Sequence, residues 1–432
     1  MLCDQIPPRA VRYKATQDLG VSDHKLGTSV MRLQSCCALA CVLLAGSPAL
    51  RADPRPGPAD SRAPSAQVIS GTSQPSPLPG FQPHIVHSQF GGQIFGFDID
   101  QQGVEGVLSE AQTLDDGSVL TAVETFNQLT GAIVSVIAKT TSDADDYLTL
   151  GVVGQHVGLV EFEHEVSFLH LVRTYSFLDP LSLNRFTGHW TPPIDRDHII
   201  ESVSRNQGLS LAAVYAYDNS ENFRPQVFET DVATNTFGPL ITMTDGSFQT
   251  GLVPKVAYNP ATNKALLGIQ TAGNPFVGPT FALVDLQGGQ TTIFRGVGLG
   301  DVNGLAIDPI TNIACSTTEI DFGVQFYDIA TLTGFSEPLP GANSQFNSGA
   351  DVAVDALHGL FLVAQPNSST EPGTSSIHVY DEQGNLIESL NGFHFSNTFN
   401  VIPMHVALHP AMRFGYVDGP DDGVREIESF AY

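Results

Sequence analysis

The second half of the chain alternates short apolar runs with polar turns at a regular spacing. Residues 256–260 read Val-Ala-Tyr-Asn-Pro, and related five-residue segments end at positions 309, 356 and 410. The fifth positions are therefore 49, 47 and 54 residues apart. A turn and a second apolar run follow the first three segments, which predicts β-hairpins. The alanine at the second position of each segment predicts an inner strand, where neighbouring units are crowded.

A second repeated element is an acidic or amide residue at the end of a later apolar run. These runs end at Asp285, Asp328, Asp381, Asp231, Asp179 and Asn127. Most of them are followed by a tight turn. Counting Asp98 as the first copy, the average spacing up to Asp381 is 47 residues. That period lies in the range of four-stranded propeller blades.

The two ends of the repeat region complement each other. The C-terminal unit supplies an inner strand around Val406 and two further strands, whereas residues 93–108 supply strands with no inner strand before them. We therefore predict an all-β fold, a β-propeller of about seven blades over residues 85–432. It would be closed by N- and C-terminal strands that share one blade, which removes open sheet edges. The repeats are also compatible with six or eight blades. A linear solenoid is the structural alternative.

The repeats resemble those of secreted bacterial propellers of the YVTN and gluconolactonase-like superfamily. The resemblance rests chiefly on residues 250–432 and concerns the architecture. Propellers of this kind range from lactonases and lyases to binding scaffolds. The resemblance therefore implies a fold and leaves the chemistry open.

The N-terminal residues have the pattern of a secretory signal. An apolar run at residues 35–46 follows Arg32 and precedes small residues, and it is too short to span a bilayer. We predict that residues 1–30 are an over-long start or disordered, that residues 31–52 are a signal peptide, and that residues 53–84 are a proline-rich linker. The expected protein is secreted or periplasmic, with no transmembrane segment in the mature chain.

The charge of the chain limits its possible partners, and its cysteine content limits how its core can be stabilised. The chain has 45 acidic and 19 basic residues, a net charge of −26, and would repel a polyanion. We therefore expect no nucleic-acid partner. Cys315 is the only cysteine after residue 41, which excludes a disulfide-stapled core. The expected partner is an extracellular protein or a small-molecule ligand.

One face of the predicted propeller carries the long connections. In an antiparallel blade, the connection after the second strand and the connection to the next blade leave the same face, and both are long here. Functional residues concentrate on such loops. Aromatic and amide side chains there suit a protein, glycan or small organic ligand, although the phenylalanines could instead seal the blades together. The predicted ligand-binding residues are Phe223, Arg224, Phe276, Asn343, Phe346 and Phe399.

The resemblance also implies a metal site at the channel mouth. Gluconolactonase-type propellers bind a divalent metal through Glu, Asn and Asp residues. Asn303, before Gly304, looks like the family's Asn-Gly element, and Asp351 looks like its aspartate one blade later. Glu105 is similar to the glutamate element. Asn303 and Asp351 are thus candidate ligands for a cation such as calcium, and the expected cofactor is this cation or none. Alternatively, these polar residues only stabilise the turns next to the inner strands and bind no metal.

Two histidines near the last long connection are the candidate catalytic residues. His394 and His405 could act as an acid/base pair near the channel mouth. No Gly-x-Ser-x-Gly nucleophile elbow occurs in the chain. We therefore expect a secreted propeller that binds a partner through its long-loop face without catalysis. The alternative is a metal-dependent hydrolase of the lactonase type acting at the mouth of the central channel.

Overall fold

A computed structural model gives the fold of residues 81–432. Within that range it leaves out residues 102, 142–146, 155–156, 168–169, 179–184, 191–197, 207–208, 218–222, 232–235, 238–240, 243–254, 270–278, 299, 301, 319–322, 343–348, 367–374, 395–404 and 419–425. The side chains described lie outside residues 139–254. The predicted signal peptide and nearly all of the predicted linker fall outside the described residues. No helix in the described part of the chain is long and apolar enough to cross a bilayer.

Three sheets follow one another along the first half of the chain, two with four strands and one with five. The first contains β2 (Gln93–Ile99), β3 (Glu105–Thr113), β4 (Val119–Asn127) and β5 (Ile133–Thr141). The second contains β6 (Tyr147–Gly154), β7 (Val157–Ser167), β8 (His170–Leu178) and β9 (Arg185–Trp190). The third contains β10 (His198–Asn206), β11 (Leu209–Tyr217), β12 (Phe223–Asp231) and β13 (Thr236–Phe237), with β14 (Ile241–Thr242) also paired to β12.

The second half of the chain adds four more sheets. The fourth contains β15 (Lys255–Asn259), β16 (Lys264–Ile269), β17 (Thr280–Asp285) and β18 (Thr291–Arg295). The fifth contains β19 (Val302–Ile307), β20 (Ile313–Thr318), β21 (Gly323–Asp328) and β22 (Thr333–Pro338). The sixth contains β23 (Asp351–Asp355), β24 (Leu360–Gln365), β25 (Ser375–Asp381) and β26 (Leu386–Phe393). The last contains β27 (His405–His409), β28 (Phe414–Asp418), β29 (Glu426–Ala431) and β1 (Ile85–His87).

The last sheet joins the two ends of the described chain. Strand β1 pairs antiparallel with β29, with Val86 opposite Ile427. Before β1, the His84 N–H donates to Ser429 Oγ at 2.6 Å, and the Phe81 ring stacks on Phe414 at 4.7 Å. Contacts with the sheet thus begin four residues before the predicted boundary at residue 85.

The N-terminal residues expected to share the last sheet were misassigned. Residues 93–108 form β2 and the first four residues of β3, the first two strands of a separate sheet. The strand that joins the C-terminal sheet is β1, which has three residues and buries only Val86. A strand this short leaves almost no alternating pattern in a sequence. The sequence therefore favours the next apolar run, at residues 93–108, as the partner of the last sheet.

The first strands of the sheets contact one another in a cycle. Contacts join β2 to β6, β6 to β10, β10 to β15, β15 to β19, β19 to β23, β23 to β27 and β27 back to β2. Three of the four repeat alanines are buried, Ala257 (1% exposed), Ala306 (7%) and Ala407 (3%), and Ala353 is half-buried. Ala257 packs in an apolar cluster that also contains Leu305 and Ile307 from the next sheet. Small side chains therefore let neighbouring first strands approach closely.

The repeated segments encode the turn after each first strand. Asn259 Oδ1 accepts the Ala261 N–H at 2.9 Å, and Asp308 Oδ1 accepts the Ile310 N–H at 2.7 Å. Such Asx turns are the reason for the polar residue at this position. The last turn residue has a left-handed backbone, at Asn263 (φ 51°), Asn312 (φ 64°), Gly359 (φ 64°) and Arg413 (φ 54°).

The repeated aspartate caps the turn after the third strand. Asp328 Oδ1 accepts the Ala330 N–H at 2.8 Å, and Asp381 Oδ1 accepts the Gln383 N–H at 3.0 Å. The inclusion of Asp98 in this series is wrong, since Asp98 lies in the first strand β2. An apolar run that ends in aspartate is not unique to third strands, and position in the repeat was needed to separate the two cases.

Two buried glutamates fix the loop between β1 and β2. Glu124 Oε1 and Oε2 accept the Gln89 N–H, each at 3.0 Å, and Glu110 accepts the N–H groups of Phe90 (3.2 Å) and Gly92 (2.7 Å). Both glutamates are at most 1% exposed. Burial and the adjacent Glu110 carboxyl raise the pKa of Glu124 to about 8. Glu124 therefore keeps its proton at neutral pH, and both side chains hold the loop in place.

Candidate functional site

Three neighbouring first strands bring sequence-predicted residues to one end of the sheets. Strand β19 contacts β23, and β23 contacts β27. The first or second residue of these strands is Asn303, Asp351 and His405, respectively. The connections from second to third strands and from each sheet to the next leave from this end. We call it the long-connection face. The opposite end, where the turns at Asp308 and Asp328 lie, is the short-turn face.

Gly304 allows the close approach of β19 to β23. A Cβ atom at this position would lie 2.7 Å from the Cα and carbonyl carbon of Asp351. The preceding Asn303 donates from Nδ2 to the Gly349 carbonyl oxygen at 3.2 Å, across the same contact. The Asn-Gly pair thus serves the packing of adjacent first strands, and it places Asn303 beside the start of β23.

Asp351 and His405 form a pair across the next contact. His405 Nδ1 lies 3.4 Å from Asp351 Oδ2, and the same oxygen accepts the Val406 N–H at 2.9 Å. The His405 side chain is 29% exposed and that of Asp351 is 11% exposed. The imidazole also meets the Phe97 ring edge to face, at 5.3 Å between centroids. The carboxylate and the aromatic ring therefore orient a histidine that solvent and ligands can reach.

Asp418 completes this group and was missed at the sequence level. It is paired in register with His405, and its Oδ1 accepts the His405 N–H at 2.7 Å. Burial, and then the nearby charge of Asp351, raise the pKa of Asp418 to about 8, so this side chain is neutral at pH 7. Hairpin symmetry about the turn that begins at Pro410 could have revealed it, because the pairing of His409 with Phe414 places His405 opposite Asp418.

His394 has a different acidic partner. Its N–H donates to Glu428 Oε1 at 2.7 Å, and its Nδ1 lies 3.3 Å from Glu428 Oε2. Burial raises the pKa of Glu428, and the contacts with His394 partly offset this. Each candidate histidine thus has its own carboxylate. The structure pairs His405 with Asp351, which the sequence had placed in a separate, metal-binding role.

Other predicted residues lie elsewhere or outside the described chain. Glu105 begins β3, next to the end of the first strand β2, and so lies at the short-turn face. Phe223 and Arg224 are the first residues of β12, and their side chains are outside the description. Phe276, Asn343, Phe346 and Phe399 all lie outside the described residues.

The described side chains supply only part of the implied metal site. Asn303 and Asp351 lie at adjacent strand starts, whereas Glu105 is at the other end of its sheet. Asp351 Oδ2 already accepts a backbone N–H. Within the ranges that the structure describes, no group of three or more His, Cys, Asp or Glu side chains is arranged to hold a metal ion. Of the three implied ligands, the structure therefore brings Asn303 and Asp351 together and leaves Glu105 apart from them.

Comparison with known proteins defines the architecture. No protein-family model and no curated protein sequence matches the chain. The structure of U3-55K is similar over 82% of this chain and 100% of its own, with a TM-score of 0.52 and 9% identity. The crystal structure of RRP9 WD40 repeats is similar over 83% of this chain and 99% of its own, with a TM-score of 0.53 and 9% identity.

WD40 repeats are four-stranded propeller blades. The chain is a β-propeller. The sheets are therefore its blades, and the predicted propeller architecture is confirmed. At 9% identity the likeness concerns the fold, and function has to be argued from the site.

Proposed function

We propose that the chain is a closed seven-bladed propeller of the YVTN and gluconolactonase-like kind. The support is the cycle of contacts between first strands together with the pairing of β1 and β29. In the described part of the chain, the sheets that contribute to this cycle number seven. A closed ring gives every blade two neighbours and leaves rigid strand ends around a central channel.

The proposed activity is non-catalytic binding of a partner at the long-connection face. The observation that carries this proposal is the group formed by Asp351, His405 and Asp418, with its partly exposed imidazole fixed on strand ends. The imidazole offers a hydrogen-bond donor or acceptor to a ligand. The buried side chains of Asp351 and Asp418 hold it in place through their contacts with His405. Polar groups placed on a rigid scaffold of this kind orient a ligand.

The connections around this group would supply the remaining contact area. We propose that the ligand-binding residues Phe223, Arg224, Phe276, Asn343, Phe346 and Phe399 contribute aromatic and amide contacts. The partner is an extracellular protein, a glycan or a small organic ligand. Secretion would follow from residues 31–52, and N-terminal sequencing of the protein from its host would test this, with cleavage after residue 46 and before residue 55 expected.

Site-specific photo-cross-linking tests which face binds. A benzophenone amino acid is placed at Phe276, Phe346 or Phe399, and in matched variants at Val104 or Leu129 on the short-turn face. The expected result is adducts with material from the host surface at the first set only, and their loss when His405→Ala and Asp351→Asn are added. Equal adducts from both faces, or adducts unchanged by the double substitution, would refute the proposal.

A metal-dependent hydrolase of the lactonase type is the second candidate. The adjacency of Asn303 and Asp351 at the channel end favours it. Its test is the metal content of the purified protein and the turnover of a lactone panel with added calcium or zinc. Activity that requires the metal and is lost in both Asn303→Ala and Asp351→Ala would favour the hydrolase over the scaffold.

A further inference from the structure

A short segment before the first complete sheet joins the two ends of the described chain, and we call residues 81–92 the N-terminal clasp. Its strand β1 has three residues and buries only Val86. The backbone of His84 donates to Ser429 Oγ at 2.6 Å, and its carbonyl oxygen accepts the Ser429 N–H at 2.9 Å. With one buried aliphatic side chain in the strand, polar contacts supply a large share of the attachment.

The His84 ring has a hydrogen-bond acceptor at each nitrogen. Tyr416 donates its hydroxyl proton to the Gln128 carbonyl oxygen at 2.5 Å. Its oxygen is therefore left to accept from His84 Nε2, which lies 2.9 Å away. His84 Nδ1 lies 3.0 Å from the Gln82 carbonyl oxygen, which can only accept. Both nitrogens donate at once only when the imidazole is protonated.

The packing around this ring keeps it in place. The half-buried ring lies 5.8 Å from that of Phe81 between centroids, and a Cβ atom on Gly131 would be 2.6 Å from His84 Cδ2. Histidine is the side chain that titrates between pH 5 and 8. A proton on His84 adds the second hydrogen bond in the fold, so this contribution is present in acid and is lost as the pH rises.

Other titratable groups face the clasp from β29. His87 lies opposite Glu426 in the register, and its Nδ1 is 3.1 Å from Glu426 Oε1. Glu428 lies opposite Ile85 and is held by His394. The His87 side chain is 65% exposed, so its ion pair adds little. It acts in the same direction as His84, because it too needs a protonated imidazole.

The second half of the clasp rests on the two buried glutamates of the first sheet. Glu124 on β4 accepts the Gln89 N–H, and Glu110 on β3 accepts the N–H groups of Phe90 and Gly92. Two buried carboxyl groups in contact cannot both ionise without a large cost. Burial and the contact with Glu110 raise the pKa of Glu124 to about 8. Above this pH a second buried charge forms beneath the loop.

We propose that the N-terminal clasp is a proton-dependent fastening, attached in acid and released as the pH rises, first through His84 and then through Glu124. Its release would expose the edge of β29, which pairs with β1 on one side and β28 on the other. The inference concerns the join between the two ends of the described chain. It does not depend on the binding proposed at the long-connection face.

Hydrogen exchange of the full chain, followed by mass spectrometry, measures this release. Protection factors, corrected for the intrinsic exchange rate at each pH, are compared at pH 5.5, 7.5 and 9.0. We expect the protection of residues 81–92 to fall about tenfold in each interval, as for one hydrogen bond to a charged group. The β15–β16 hairpin, residues 255–269, should keep its protection. A wild-type profile that lacks either fall, or an equal fall in the hairpin, would overturn the proposal.

Substitutions assign each step to its group. His84→Gln, whose amide can donate to Tyr416 without a proton, should retain only the fall between pH 7.5 and 9.0. Glu124→Gln should retain only the fall between pH 5.5 and 7.5, and the double variant should show neither. His358→Gln is the matched control with both falls, since His358 bonds to Asp355 of its own turn. Both falls persisting in the double variant would also overturn the proposal.

Discussion

Replacing Glu124 with glutamine should remove a loss of stability that wild type suffers as the pH rises. The pKa of Glu124 is raised from 4.5 to about 8 in the fold, so between these values the folded chain holds a proton that the unfolded chain has released. The stability carried by that proton is complete below pH 4.5 and is lost as the pH rises through 8. The shift corresponds to an upper limit of about 5 kcal/mol. Because the loop that contains Gln89 can relax, we expect about 2–3 kcal/mol.

Urea unfolding at pH 5 and pH 8.5 measures this difference directly. The stability of Glu124→Gln relative to wild type should increase between the two pH values, because the amide keeps the neutral state at both. Glu388→Gln, at an exposed position on β26, is the control and should show no such increase. A difference between Glu124→Gln and wild type that is the same at both pH values would show that the pair with Glu110 does not hold a proton in the fold.

Three further substitutions test the packing, the turns and a buried histidine. Gly304→Ala should cost about 2–3 kcal/mol through overlap with the Asp351 backbone, whereas Gly288→Ala, which has open space around it, should not. Thermal midpoints distinguish them. Asp328→Ala should cost about 1 kcal/mol through loss of its turn hydrogen bond, and Asp328→Asn should retain most of it, as urea midpoints would show. Burial lowers the pKa of His378 to about 4, so wild type should lose up to about 3 kcal/mol as the pH falls from 6.5 to 4. His378→Gln should not show this acid dependence, and an unchanged pH profile would contradict the assignment.

The turns of the fold could be predicted from the sequence because their hydrogen bonds form within single blades and the same residues recur from blade to blade. Polar residues at the ends of first strands, such as Asn259 and Asp308, and aspartates at the ends of third strands, such as Asp328 and Asp381, cap their own turns. Residues a few positions apart decide such hydrogen bonds, so a linear pattern contains them. The three-residue strand β1 has no comparable pattern. Its place on β29 depends on partners at the far end of the chain.

The candidate site was only partly readable for the same reason. Asn303, Asp351 and His405 were each identified from their repeat position, but their grouping depends on contacts between blades. The link between Asp351 and His405 joins residues in different repeats. The neutral state of Asp418 depends on burial, which only the packed fold provides.

The seam between β1 and β29 has a consequence for biosynthesis. The hydrogen bond from His84 to Ser429 joins residues 345 positions apart. During elongation β1 emerges long before its partner, and it must wait while almost the whole chain is made. Until β29 is made, β28 lacks one of its two neighbouring strands and exposes an edge that other chains can pair with. We therefore expect this last pairing to be a slow, long-range step, and chains arrested before β29 to be prone to aggregation.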